Sequence, residues 1–162
     1  MNDVVIRRME RADAPVIARL ERSIFTDPWS EDMFRDEADR NASSWNRVAV
    51  DTAAGAVVGY LVAWLVADEV HLANVAVAPE MRRQGLAQRL LDELEREGRR
   101  RHARMVVLEV RRSNEAAQGL YRKNGYATVS IRRRYYRDNH EDALVMIKTL
   151  SEPGRIAPGT EA

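Results

Sequence analysis

The sequence has no cysteine. Disulfides, thiolate metal sites and any cysteine nucleophile are thereby excluded. Histidine is scarce: His71, His102 and His140 are scattered and show no metal-ligand spacing, so no metal site is expected. Long hydrophobic runs are absent as well. The longest uncharged apolar stretch, Ala56 to Ala67, is twelve residues and contains a glycine. A bilayer needs about 20, so no transmembrane helix and no membrane partner are expected. The opening MNDVVIRRMERADAP lacks an apolar h-region, so no secretory signal is expected and the setting reads as cytoplasmic. Without secretion the sequon-like Asn41-Ala42-Ser43 carries no meaning. No G-x-x-x-x-G-K-[ST] loop occurs, which disfavours a GTPase or kinase. Only two lysines are present, Lys123 and Lys148.

What is present is an ordinary single-domain composition. The chain has 162 residues, 45% of them hydrophobic and 31% charged. Net charge is +1, but residues 1–81 sum to −6 and residues 82–162 to +7. Arginine richness alone is explained equally well by a GC-rich genome. The asymmetry has the form expected of a chain half that faces a phosphate-bearing ligand or nucleic acid.

The periodicity gives one α/β domain over residues 1–150 and a low-complexity tail over 151–162 that reads as flexible. Strands are expected near Val4–Arg8, Trp45–Val50, Ala56–Val66, Val70–Val77, Met105–Val110, Tyr126–Arg132 and Asp142–Leu150. Helices are expected from Asp13 to Ile24, after Ser30, from about Gly85 to near Gly98, and from Asn114 to Lys123. The order implies a mixed sheet of about seven strands flanked by about four helices.

The most informative stretch is Val75-Ala76-Val77-Ala78-Pro79-Glu80-Met81-Arg82-Arg83-Gln84-Gly85-Leu86-Ala87. A strand ends, a basic turn follows and a helix begins. A helix N-terminus offers unpaired N–H groups and the positive end of its dipole, so this junction can seat a pyrophosphate. Gly85 removes a side chain that would block close approach. Taken alone, the same residues also read as an ordinary charged turn.

Arg82-x-x-Gly85-x-Ala87 resembles the acetyl-CoA-binding pattern [RQ]-x-x-G-x-[GA] of the GCN5-related N-acetyltransferases, and the order of elements fits that family over residues 3–150. Three further stretches are similar to its RimI type, the N-terminal acetyltransferases of ribosomal proteins. They are Asp27-Pro28-Trp29-Ser30, Leu108-Glu109-Val110-Arg111 with Ser113-Asn114, and Arg133-Arg134-Tyr135-Tyr136 with Glu141-Asp142-Ala143. The resemblance implies acetyl-CoA as cosubstrate, Glu109 as general base and Tyr121 as general acid. It also implies cofactor contacts from Val75, Ala76, Val77, Arg82, Arg83, Gln84, Gly85, Leu86, Ala87, Gln88 and Asn114.

The residue chemistry is compatible with those roles. Glu109 interrupts a buried apolar strand and should be partly desolvated, as suits a base; it could equally pair with Arg111, Arg112 or another arginine. Asn114 and Tyr121 lie two turns apart on one helix face. Tyr121 alone would read as a core aromatic. Trp29, Tyr135 and Tyr136 could wall a peptide groove, although Trp29 could instead staple the second helix against Phe34. Adjacent residues in a strand face opposite sides, so only one of the two tyrosines could line such a groove. The resemblance implies a glycine-bearing turn where this sequence has Arg137-Asp138-Asn139-His140, and there it departs from the family.

The expectation is therefore direct acetyl transfer to the N-terminal alanine of a small-subunit ribosomal protein, the eighteenth in the usual count. The alternatives are a lysine or small-amine acetyltransferase of the same fold, or an Arg-rich ribosome- or RNA-binding module. Balanced total charge and the lack of an aromatic–basic motif argue against a direct nucleic-acid function.

Overall fold

The computed structural model describes residues 3–40 and 42–150. Asn41 and the tail expected over 151–162 lie outside them. Seven strands, β1 (Val4–Arg8), β2 (Ser44–Asp51), β3 (Ala56–Val66), β4 (Glu69–Val77), β5 (Met105–Arg111), β6 (Ala127–Arg132) and β7 (Ala143–Thr149), form one sheet in the order β1-β2-β3-β4-β5-β7-β6. Only β4 and β5 run parallel. Four helices flank it: α1 (Ala14–Ile24), α2 (Glu31–Asp39), α3 (Leu86–Arg100) and α4 (Glu115–Lys123). No helix among the described residues is long and apolar enough to cross a membrane.

Alternation along β3 divides the core. Leu61 and Ala63 face Leu86, Leu90, Leu91 and Leu94 of α3. Tyr60 and Val62 face Ile17 and Ala18 of α1 and Phe34 of α2. Both faces are thus covered, as a parallel pair at the centre of a sheet requires.

Three boundaries differ from the sequence reading, each for a local reason. Arg11–Asp13 forms a 3-10 turn before α1, held by Asp13, whose carboxylate accepts from the Glu10 N–H at 2.7 Å and from Arg7 at 2.9 Å. Helix α3 does not stop near Gly98 but runs to Arg100. Gly98 is a packing glycine: an added Cβ would sit 2.7 Å from Leu150 Cδ1 and 3.3 Å from Val70 Cγ2. Helix α4 starts at Glu115, and Asn114 caps it, its Oδ1 accepting from the Ala117 N–H at 3.1 Å.

Ser30 caps α2 by accepting from the Met33 N–H at 3.2 Å, and Trp29 packs on Phe34 at 5.4 Å between ring centroids. This is the staple arrangement. Loss of such a cap costs about 1 kcal/mol. Ser30→Ala should lower the unfolding free energy by that amount in a urea titration, with an unchanged slope.

The feature that positions the site is a fork in the sheet. Parallel pairing of β4 with β5 runs from Glu69↔Met105 to Leu72↔Leu108 and ends there. A register shift at Val62/Ala63 in the β3–β4 ladder leaves Ala73 as an extra residue. Beyond it, Asn74 to Val77 stay with β3, whereas Glu109 to Arg111 stay with β7. Bulges bend a strand and increase its twist, so β4 turns away from β5 at this level.

Candidate active site

The fork opens next to the first turn of α3. Gly85 is the N-cap residue, with φ +77° and no side-chain cap, and Arg83 also has a positive φ of 64°. An added Cβ at Gly85 would meet no atom of the described residues within 4 Å. The glycine therefore serves the left-handed backbone and keeps the space in front of it clear. None of the N–H groups from Arg83 to Gln88 is bonded to an acceptor among the described residues. Of these residues, Arg83 and Gly85 to Gln88 line one cleft at the positive end of the helix dipole, a ready-made seat for phosphate groups.

That cleft, of about 370 Å³, brings together Val77, Arg82, Arg83, Gly85, Leu86, Ala87 and Gln88 of the candidate cofactor residues. It also contains Met81, Leu120 and Lys123, which sequence reading did not select. Lys123 ends α4 and adds a cation; a charged last turn is the only signal it leaves in the sequence. Arg82 is tied back to the strand, its Nε donating to the Val77 carbonyl at 3.4 Å. Gln84 donates to the Glu80 carbonyl at 3.5 Å and does not line the cleft. Ala76 packs with the α1–α2 side of the core, and Val75 packs partly buried on the α3 side. What these two offer a ligand is main chain.

Glu109 stands on β5 one residue past the last β4–β5 pair, at the fork itself. Its side chain is 27% exposed, and Arg132 Nε lies 3.7 Å from Oε1. Of the two readings open in the sequence, the arginine pair is present, but with Arg132 rather than Arg111 or Arg112. Arg132 is itself 57% exposed, so this is a surface-type pair that restrains Glu109 weakly.

Tyr121 is buried, its ring 5.7 Å from that of Tyr126. Burial raises its phenol pKa above the ordinary 10.0. Both the core reading and a proton-holding role are compatible with this placement.

The acceptor side of the fork is built differently from the sequence expectation. Tyr135 and Tyr136 are not in a strand but in the loop between β6 and β7. Their rings meet edge-on at 5.1 Å, so the opposite-faces argument does not apply. Arg111 stacks on Tyr136 at 3.9 Å, and burial pushes the Tyr136 phenol up to about 12. The Arg111 guanidinium also donates to Asp138 at 3.0 and 3.1 Å and to Glu141 at 3.3 Å. Asp138 accepts a further bond from the Thr26 hydroxyl at 2.8 Å, reaching across to the loop after α1. The Thr26 bond and then Arg111 hold the Asp138 carboxyl below its ordinary range. The loop turns without glycine because Arg134 and His140 adopt positive φ, 54° and 58°. Asp142 accepting from the Arg134 N–H at 2.9 Å helps to hold that turn.

A second set of residues missed in the sequence lies beneath Trp29. Glu21 is 2% exposed. It accepts from the Tyr60 hydroxyl, from Asn74 Nδ2 at 3.0 and 3.1 Å, and from the Trp29 N–H at 3.0 Å. These bonds fasten the loop before α2 to β4 just beyond its bulge. Trp29 itself stacks on Trp64 at 6.3 Å as well as packing on Phe34, so the staple is present and Trp29 is half-buried beside α2.

Comparison with known proteins agrees with this geometry. The family model described as "Acetyltransferase (GNAT) family" matches residues 14–126. The chain is 34% identical over 148 residues to the ribosomal protein bS18-alanine N-acetyltransferase of Escherichia coli, covering 90% of this chain and 97% of that protein. It is 35% identical over 156 residues to the N-alpha-acetyltransferase RimI of Mycobacterium tuberculosis, covering 93% and 95%. The crystal structure of the E. coli ribosomal-protein-S18-alanine N-acetyltransferase superposes with a TM-score of 0.83 at 33% identity, covering 94% of this chain and 97% of that one. With the forked sheet and the open helix N-terminus in place, the chain belongs to the GNAT acetyltransferase family.

Proposed function

We propose that the protein acetylates the N-terminal alanine of the small-subunit ribosomal protein bS18, with acetyl-CoA as donor. The expected setting is the cytoplasm. The observation that supports the reading is the fork: a carboxylate, Glu109, follows the last β4–β5 pair, and the α3 N-terminus has N–H groups unbonded among the described residues. The printed activities of the E. coli and M. tuberculosis relatives, over nine-tenths of the chain, support the acceptor.

The cofactor fits the residues present. Its phosphates suit the N–H groups of Arg83 to Gln88, with Arg82, Arg83 and Lys123 supplying charge. Its arm suits the free main-chain edge of Val75 to Val77, in the manner of an added strand. Asn114, at the start of α4, keeps its amide nitrogen for the same ligand while its oxygen caps the helix. Acetyl-CoA supplies the acetyl group as a thioester. Glu109 takes a proton from the acceptor amine, directly or through one water. An α-amino group, with a pKa near 8, is neutral far more often at neutral pH than a lysine near 10.4, so it is the easier nucleophile. Tyr121 holds a proton at its phenol oxygen for the departing sulfur. Trp29, Tyr135 and Tyr136 wall the acceptor side. No cysteine is available to carry the acetyl group, so transfer is direct, within a ternary complex.

Thiol release with a matched peptide pair tests this. One peptide has a free N-terminal alanine and no lysine; the other has a blocked N-terminus and an internal lysine. Turnover is expected on the first alone. Turnover on the second alone replaces the reading with lysine acetylation, and silence on both removes the peptide acceptor.

A further inference from the structure

The loop between α1 and α2, residues 25–30, is fastened at two points, one to each arm of the fork. At Thr26 it is tied to the β5 arm. The hydroxyl donates to Asp138 at 2.8 Å, and Asp138 accepts from Arg111 on β5 at 3.0 and 3.1 Å. Arg111 lies two residues beyond Glu109 on the same strand, so alternation puts both side chains on one face. At Trp29 the loop is tied to the β4 arm through Glu21. Its carboxylate accepts from the Trp29 N–H at 3.0 Å and from Asn74 Nδ2 at 3.0 and 3.1 Å. The loop therefore spans the opening as a crossbar.

The β4 end of this connection depends on the bulge. Val70 and Leu72 pack on the α3 side, and strict alternation would put Asn74 there as well. The extra residue Ala73 shifts the register, and Asn74 pairs with Val62, which packs on the α1 side. Bulges re-aim side chains in this way. The turned amide is hydrogen-bonded to Glu21 and to no other side chain among the described residues.

Stability alone does not call for a carboxylate at this place. Glu21 is 2% exposed, and no cation pairs with it among the described residues. A buried carboxylate without a cation is costly, and a well-packed apolar side chain often serves stability as well or better. Three donors offset that cost: the Tyr60 hydroxyl, Asn74 and the Trp29 N–H. Burial, with the neighbouring Glu21 charge, holds the Tyr60 phenol above its ordinary pKa, so it remains a donor. Tyr60 belongs to the core alone. The other two donors belong to the β4 arm and to the crossbar, and a carboxylate, an acceptor at both oxygens, serves all three at once.

We propose that Glu21 is a positioning residue for acetyl transfer. Through Asn74 and the Trp29 N–H it fixes the width of the fork, and so the distance between a thioester held along β4 and an amine beside Glu109 on β5. The inference rests on the acetyl-transfer reading of the fork and holds for any amine acceptor. Glu21 itself touches neither substrate.

Three variants of the full chain test this. Asn74→Ala releases the β4 end of the crossbar, and Thr26→Val releases the β5 end. Tyr60→Phe removes a bond to Glu21 that belongs to neither arm. Asn74→Ala and Thr26→Val should each lower kcat about tenfold through looser attack geometry, with CoA affinity kept within about twofold because the phosphates seat on α3. A crossbar released at one end is already open. The double variant should therefore lie within about twofold of the slower single one, whereas independent losses would multiply to about a hundredfold. Tyr60→Phe should lower the melting temperature and keep kcat within about twofold of the wild type. Glu21→Gln, which keeps an oxygen for the Trp29 N–H, should be faster than Glu21→Met, which keeps none.

Rates are read with whichever of the two matched peptides the wild type acetylates. A second readout needs no acceptor: amide exchange over residues 74–77, followed by NMR, should quicken in Asn74→Ala and not in Tyr60→Phe. Silence of the wild type on both peptides counts against the proposed acceptor alone, and the exchange rates then decide the role of Glu21. The proposal is overturned if the single losses multiply in the double variant or if Tyr60→Phe slows turnover as much as Asn74→Ala. It is overturned equally if Asn74→Ala leaves exchange over residues 74–77 as in the wild type.

Discussion

Glu109→Gln is expected to lower kcat by about 10²–10³-fold while leaving acetyl-CoA affinity unchanged. The substitution keeps the size of the side chain and removes its ability to take a proton. Glu109 sits at the root of the fork and outside the cleft that Gly85 to Gln88 line, so the cofactor should not register the change. Loss of the exposed Arg132 pair costs little. The two measurements are single-turnover acetyl transfer and calorimetric titration with CoA. A rate near that of the wild type, with the same dependence on pH, would take Glu109 out of the chemistry and leave its ion pair as its role. Tyr121→Phe provides the contrast. Its loss should be smaller, about tenfold, because water can replace a phenol as proton donor. Burial raises the Tyr121 pKa, so the wild-type phenol keeps its proton as pH rises through the ordinary 10.0. Any alkaline decline in rate below that point should therefore persist unchanged in the Phe variant.

Gly85→Glu should reduce acetyl-CoA affinity by about a hundredfold or more, without unfolding the protein. The left-handed φ of 77° costs a side-chain-bearing residue about 1–2 kcal/mol, which a domain of ordinary stability survives. The space is open among the described residues, so no clash with them adds to that cost. The carboxylate would meet the unbonded N–H groups of the turn and occupy the place of an anion, and its charge would repel the phosphates that compete for it. Gly85→Ala separates the contributions: it carries the strain without the charge and should retain most of the affinity. Melting temperatures and calorimetric titrations of both variants give the answer. Equal affinities for the wild type and the Glu variant would move the phosphates elsewhere.

Legibility in the sequence followed the range of the interactions. Gly85 could be read because the strand-to-helix junction is written in consecutive residues. The cap at Ser30 and the staple of Trp29 on Phe34 were equally local. The fork was not legible. It depends on the register of β4 against both neighbours, and nothing at Ala73 marks it as the extra residue of a bulge. Gly98 reads as a helix end because a glycine past a periodic run usually is one; the Leu150 contact that overrides this comes from 52 positions away in the chain. Adjacent residues face opposite sides only in a strand, and the strand ends at Arg132, before Tyr135 and Tyr136. The Thr26–Asp138–Arg111 connection joins three distant segments, and only folding shows that the acidic loop answers an arginine on β5. Glu21 gave no signal at all, because on α1 it reads as a surface acid.

A strand edge with free main-chain groups is ordinarily an invitation to aggregate, since it templates pairing with another copy. The forked sheet keeps such an edge without extending that invitation. The opening starts from fully paired strands at Leu72 and Leu108 and widens along the chain, so it is a wedge rather than a rim. One extended chain, at about 4.8 Å from its neighbour, can enter it; a neighbouring molecule bringing its own sheet cannot follow. At this edge, access by a single extended chain and exclusion of a second sheet follow from where the strands part.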